Sequence, residues 1–240
     1  MGIGGIIKAA LAGSILTLGL LAIAADDGLE ARRADQAALK EYGGLVGSWR
    51  GTGQPRRGQA SGSWQEAASW AWALSGDSAA LEVGLEKGKY LKSARLRRGK
   101  GAGEFVLDAT LADGSSRSFA GRKAKDAPLI LAAEGKGEGV RRVTLTIPNE
   151  NRFLLLLEAE PQSKTFARLG EVGYTRNGVA FAAGESGPVC IVTEGRGTTQ
   201  VSYQGKSYYV CCSGCKDLFN KDPAGVLAEA AERAKAKIKK

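Results

Sequence analysis

From Leu45 to about Thr175 the chain repeats one pattern: apolar residues at every second position, in run after run. Trp64, Ala68, Trp70, Trp72 and Leu74 share one parity, with Glu66 intruding. Leu81, Val83 and Leu85 follow, then Phe105, Leu107 and Ala109, then Val143, Leu145 and Ile147, then Phe153, Leu155 and Leu157. A period of two places alternate side chains on one face of a strand, and the 3.6-residue period of a helix is absent throughout. Turn-forming segments separate the runs at Leu74-Ser75-Gly76-Asp77, Ala112-Asp113-Gly114-Ser115 and Pro148-Asn149-Glu150-Asn151. Glycine is abundant, at 34 residues, and proline scarce, at 6, which suits many short strands joined by tight turns. Eight or more antiparallel strands so spaced predict a closed barrel or a sandwich over 45–175.

Gly47-Ser48-Trp49, on the first strand and just after a predicted helix, resembles the Gly-x-Trp opening of lipocalin-like (calycin) β-barrels. The resemblance implies a barrel able to hold one small apolar ligand. Against a ligand stands a simpler role for Trp64, Trp70 and Trp72, that of filling the core. Haem bound through histidine is excluded, because the chain has no histidine.

All four cysteines, Cys190, Cys211, Cys212 and Cys215, fall within 26 consecutive positions. A metal site, a disulfide framework and a redox pair are the three readings of such a cluster. Val201-Ser202-Tyr203 and Lys206 to Val210 are β-favouring runs around Gln204-Gly205, which predicts a hairpin that returns Cys190 beside Cys211–Cys215. Thiolates suit zinc as a tetrahedral set and Cu(I) as a smaller one. Cys212 adds a Cys-x-x-Cys spacing with Cys215, while strand alternation argues against Cys211 and Cys212 facing one ion without a kink. A fourth ligand is left to Cys212, to Glu194 or Asp217, to water, or to none.

The segment resembles the TRASH and YHS-like group of small metal-binding domains. The residues that carry the likeness are Cys190, Cys211 and Cys215 in their spacing, Cys190-Ile191-Val192-Thr193 at the start, Tyr208-Tyr209, Phe219, and Asp222-Pro223 near the end. Isoleucine stands where the family's opening has proline. The resemblance implies heavy-metal binding, in metal sensing, trafficking or transport.

Residues 1–24 read as a secretory signal peptide: Lys8 alone is charged, an apolar run follows, and Ala22-Ile23-Ala24 closes it. Cleavage after Ala24 is expected, the rival being an uncleaved anchor over residues 3–24. Export to the periplasm or the exterior follows in both cases. In such a compartment free thiols tend to pair unless metal shields them, and a bond between the neighbours Cys211 and Cys212 would be strained.

A helix is predicted over 26–44, a turn-rich linker over 176–188, and a final helix from Pro223, capped by Asp222, to Ile238. The formal net charge of +9 is concentrated in two runs: Lys92, Arg95, Arg97, Arg98 and Lys100, and the tail Arg233, Lys235, Lys237, Lys239 and Lys240. For an exported chain such runs read as a solvated tail with some attraction to an anionic membrane surface, rather than as a nucleic-acid site. Without histidine there is no Ser-His or Cys-His nucleophile pair, and no enzyme activity is expected. The expectation is therefore a mainly β protein: a lipocalin-like antiparallel barrel, then a small α+β module over 189–240 that binds zinc or copper through Cys190, Cys211, Cys212 and Cys215. The alternative is a carrier of a small apolar ligand whose C-terminal module is held by disulfides.

Overall fold

Ten strands carry the alternating segment: β1 (Gly47–Gln54), β2 (Trp64–Leu74), β3 (Ala79–Glu86), β4 (Leu91–Arg98), β5 (Glu104–Leu111), β6 (Ser116–Arg122), β7 (Leu129–Ala132), β8 (Arg142–Asn149), β9 (Arg152–Ala159) and β10 (Ala167–Arg176). In the computed structural model, which describes residues 15–135, 137–161, 165–177 and 188–238 (backbone only for 15–26 and 238), each strand pairs antiparallel with its sequence neighbours. β1 then pairs with β10, Trp49 opposite Arg176, and closes the barrel. The chain is mainly β, and this ten-stranded antiparallel barrel fits the lipocalin-like resemblance.

The inward parity is the one the alternation marks, except at Ile147, which is exposed where β8 loses its register with β9. Trp70, Leu81, Leu96, Leu107, Leu131, Val143, Phe153 and Tyr174 are all buried. Phe153 stacks on Tyr174 with ring centroids 4.2 Å apart and meets Trp49 edge-on at 4.8 Å. These side chains leave a cavity of about 20 Å³ among Trp70, Leu96, Leu107 and Phe153, room for about one water and far below a ligand pocket of several hundred Å³. Trp49, Trp70 and Trp72 are buried in the core, and Trp64 is half-buried against it.

Gly47 and Trp49 have separate jobs. Gly47 takes φ +124°, and a Cβ there would lie 2.8 Å from Arg176 Nη1. Arg176 reaches over this spot to donate to the carbonyls of Val46 (2.9 Å) and Gly44, and its guanidinium lies 4.1 Å from the Trp49 ring centre. Trp49 Nε1 donates to Leu45 O at 2.7 Å. Arg176 therefore ties the closing strand to the segment that plugs this end of the barrel. At the other end the intruding Glu66 finds polar company, accepting from Trp64 Nε1 at 2.6 Å and from the Tyr174 hydroxyl.

Helix α1 spans Ile15–Ala38 without a break, and a 3₁₀ turn continues it over Lys40–Leu45. The predicted helix over 26–44 thus starts earlier and tightens at its end, where Tyr42 and Leu45 are drawn under the barrel mouth and Tyr42 packs on Phe105. Of the predicted signal segment, residues 1–14 lie outside the described residues, and among the described residues no helix is long and apolar enough to cross a membrane. Asp35 fastens α1 to the barrel by accepting from Ala79 N (3.2 Å) and Arg98 Nε (2.7 Å). The first basic run lies on β4, where Arg95, Arg97 and Arg98 pair with Glu82, Asp108 and Asp35.

Most of the predicted linker, 178–187, lies outside the described residues. Beyond it come β11 (Thr199–Tyr203), β12 (Lys206–Val210), α2 (Ser213–Lys221) and α3 (Pro223–Ile238). Gln204 and Gly205 both take positive φ, 49° and 74°, the conformation of a two-residue type I′ hairpin turn. Asp222 Oδ1 accepts from Gly225 N at 2.9 Å and caps α3, whose first residue is Pro223.

Candidate metal centre

Three short pieces of backbone deliver the sulfurs. Cys190 opens a tight loop in which its N–H donates to Gly195 O (2.7 Å) and its carbonyl accepts from Glu194 N (2.9 Å). The next residue, Ile191, donates to Tyr209 O at 2.8 Å, which pins the loop beside β12. Gly197 is needed for this fit, since a Cβ there would lie 2.7 Å from that of Tyr209. Cys211 comes one residue after β12 ends, where strand alternation no longer applies. Cys212 is the N-cap of α2, in extended conformation, and Cys215 stands in the helix's first turn.

The sulfurs of Cys190, Cys211 and Cys215 all lie within 4.8 Å of one another, and all three residues are buried. Cys211 Sγ is 3.5 Å from Cys215 Sγ and 3.8 Å from Cys212 Sγ. Cys212 is half-buried, stands beside this group of three, and faces the barrel. All four thiols are free. An ion bonded to sulfur at about 2.3 Å holds tetrahedral ligands about 3.8 Å apart, so the spacing of this group matches what a bound ion needs.

The charge environment fits as well. Hydrogen bonds from Cys211 and then Cys215 hold Cys190 well below the ordinary thiol range, and the same two neighbours lower Cys212. Their partners move the other way: Cys211 and Cys215 are pushed up, first by their bonds to Cys190. Protons are thus shared within one buried cluster, and a cation that replaces them relieves the crowding of charge. The N-terminus of α2 adds its positive end to the same place.

Of the carboxylates considered as ligands, Glu194 turns away to Lys237 (2.8 Å) and Arg233 (3.8 Å), and Asp217 is exposed. Arg233 also donates to Ile191 O at 2.6 Å. Two residues of the basic tail therefore tie α3 to the Cys190 loop, while Lys239 and Lys240 lie outside the described residues. Thr193 Oγ1 lies 3.5 Å from Cys211 Sγ. A cleft of about 390 Å³ runs beside the cluster, lined by Arg33, Lys40, Trp72, Thr193, Glu194 and Arg233.

The barrel reaches into the site. β1 pairs with β2 only as far as Gly47 opposite Trp70, so on that side β2 runs on unpaired through Trp72. An exposed strand edge needs partners, and Trp72 N donates to Cys212 Sγ at 3.3 Å. Gly214 passes so near that a Cβ would lie 1.7 Å from Trp72 O. Neither contact was readable in the sequence, where Ser213-Gly214 signals only a tight bend. Arg32 of α1, bonded to Glu229 of α3 at 2.5 Å, completes the attachment.

A thiolate-rich hairpin-and-helix module docked on a β-barrel is the class these features define. Residues 188–225 match the YHS domain family, and the C-terminal module is YHS-like. The match with the three-sulfur cluster is consistent with metal binding. Comparison with curated proteins gives no match.

Proposed function

We propose that this chain is an exported protein that binds one zinc or copper ion and serves in trafficking, buffering or sensing of that metal. Cys190, Cys211 and Cys215 supply three thiolates and Cys212 the fourth. The observation that carries the reading is the convergence of three buried sulfurs within 4.8 Å, in the segment that matches the YHS domain. Bound metal here neutralises buried thiolate charge and cross-links the loop, the hairpin end and α2. The barrel is the scaffold of the site, since its filled interior leaves no room for a carried ligand. Export rests on the apolar N-terminal segment alone. Carriage rather than catalysis is the role proposed.

The test is purification of the protein without oxygen, with elemental mass spectrometry and a free-thiol count. About one zinc or copper per chain, lost in Cys215→Ser, supports the reading. A chain that takes up neither zinc nor Cu(I), with no free thiols, sinks it in favour of a disulfide-held module.

A further inference from the structure

We propose that Cys212 and Cys215 form a dithiol–disulfide couple that dismantles the metal site when a low-molecular-weight disulfide reacts with it; the regulatory half of this proposal rests on the metal-site reading above. Three observations carry it. Cys190, Cys211 and Cys215 are buried, with Cys190 and Cys215 fully so, whereas Cys212 is half-buried and the least enclosed of the four. Cys212 occupies the N-cap of α2 and Cys215 its first turn, so Cys-Ser-Gly-Cys wraps the start of a nine-residue helix, the placement used for reversible dithiols. Finally, Cys215 belongs to the three-sulfur group while Cys212 stands beside it. A bond between these two therefore removes one sulfur from the buried group and the fourth ligand with it, and a bond from Cys212 to its sequence neighbour Cys211 would be strained.

The step is ordinary thiol–disulfide exchange. The Cys212 thiolate attacks one sulfur of R–S–S–R, forming Cys212–S–S–R and releasing R–S⁻, which takes a proton. The Cys215 thiolate then attacks the Cys212 sulfur, forming the Cys212–Cys215 disulfide and expelling the second R–S⁻. The protein dithiol gives up two electrons and the disulfide reagent is reduced to two thiols. Cys190 and Cys211 remain as a two-sulfur site, which holds an ion more weakly than the complete set.

The experiment uses the full chain and oxidised glutathione. Reduced, metal-free protein is treated, alkylated and mapped by mass spectrometry without reduction. The expected product is the Cys212–Cys215 cross-link with two glutathiones released per chain. In Cys215→Ser the glutathione adduct should accumulate on Cys212, and in Cys212→Ser the reaction should slow by about tenfold or more. An adduct on another cysteine, a cross-link elsewhere, or a Cys212→Ser protein that reacts as fast as the parent overturns the couple. A parallel sample loaded with zinc separates the two readings. Zinc released in step with the cross-link upholds the control of the site, and zinc retained after the cross-link has formed overturns it. A chain that never takes up zinc removes the metal reading, and the mapping then decides the couple alone.

Discussion

The backbone N–H of Trp72 points at the Cys212 sulfur across 3.3 Å, joining β2 of the barrel to the head of the helix that carries Cys215. The contact exists because β2 outruns its β1 partner and leaves a short edge that the cysteine module covers. The two parts of the chain are therefore coupled through backbone as well as through side chains.

Gly214→Ala tests that coupling. The added methyl would have to displace the carbonyl of Trp72, which a backbone cannot do cheaply. Overpacking of this kind costs about 1–3 kcal/mol. The variant should unfold at lower temperature and hold metal more weakly, while barrel near-UV circular dichroism stays intact. Unchanged metal affinity would show the docking to be incidental.

Serine substitutions should separate the cysteines into two groups. Replacing Cys190, Cys211 or Cys215 removes a member of the buried group and should abolish stoichiometric metal binding. Cys212→Ser removes the fourth ligand, which stands outside the buried group and whose place water can take, so its affinity should fall without being lost. Competition with a chromophoric chelator measures both.

Arg32→Ala should destabilise the attachment of α3 by about 1.5–3 kcal/mol, because it removes a charged hydrogen bond and leaves Glu229, only 17% exposed, with Arg233 alone at 3.9 Å. Denaturant unfolding followed at a probe on α3 reads this loss. Restoring most of it with Arg32→Ala/Glu229→Gln would attribute the effect to the stranded charge.

Acid should loosen the Cys190 loop. Lys237, hydrogen-bonded to Glu194, and the nearby Arg233 hold the Glu194 carboxyl below its ordinary value of 4.5. The folded pKa is depressed, so the stabilisation is present above 4.5 and disappears as pH falls through the lower folded value. Thermal stability of the metal-free protein should decline over that window less steeply in Glu194→Gln than in the parent.

The barrel should behave as a packed core. Trp70→Ala is expected to cost about 3–5 kcal/mol and to open space for a small apolar probe. The parent, with about 20 Å³ free, should bind no such dye. Saturable binding of an apolar dye to the parent would return the barrel to the role of a carrier.

Much of this architecture was legible because short-range chemistry dictates it. Alternation through Trp70, Leu81 and Phe153 marks the inner face, Gln204-Gly205 between two β-favouring runs signals a hairpin, and Asp222-Pro223 starts a helix. The cysteine spacing pointed to the cluster, and the structure brings Cys190 back beside Cys211 and Cys215. What stayed hidden depends on which surfaces meet. Trp72 shares its parity with Trp70, yet its contribution to the site comes from its N–H, and no side-chain pattern announces a strand that outruns its neighbour. Glu66 reads as an error in the alternation until Tyr174 and Trp64 arrive from elsewhere in the chain. Arg233 and Lys237 read as a solvated basic tail, and only the fold turns them onto Glu194.

The pairing of Trp49 with Arg176 closes the barrel with residues 127 positions apart, and this has a consequence for how the protein is made. Every cysteine follows β10 in the chain, so each leaves the ribosome after all ten strands have been synthesised. At about 5–20 residues per second the thiols trail the closing strand by seconds. A barrel that closes within that interval would offer them a β2 edge with its N–H still free. Chain order thus makes the sulfur cluster the last part to be synthesised, and a chain whose barrel fails to close would leave Cys212 without its Trp72 partner.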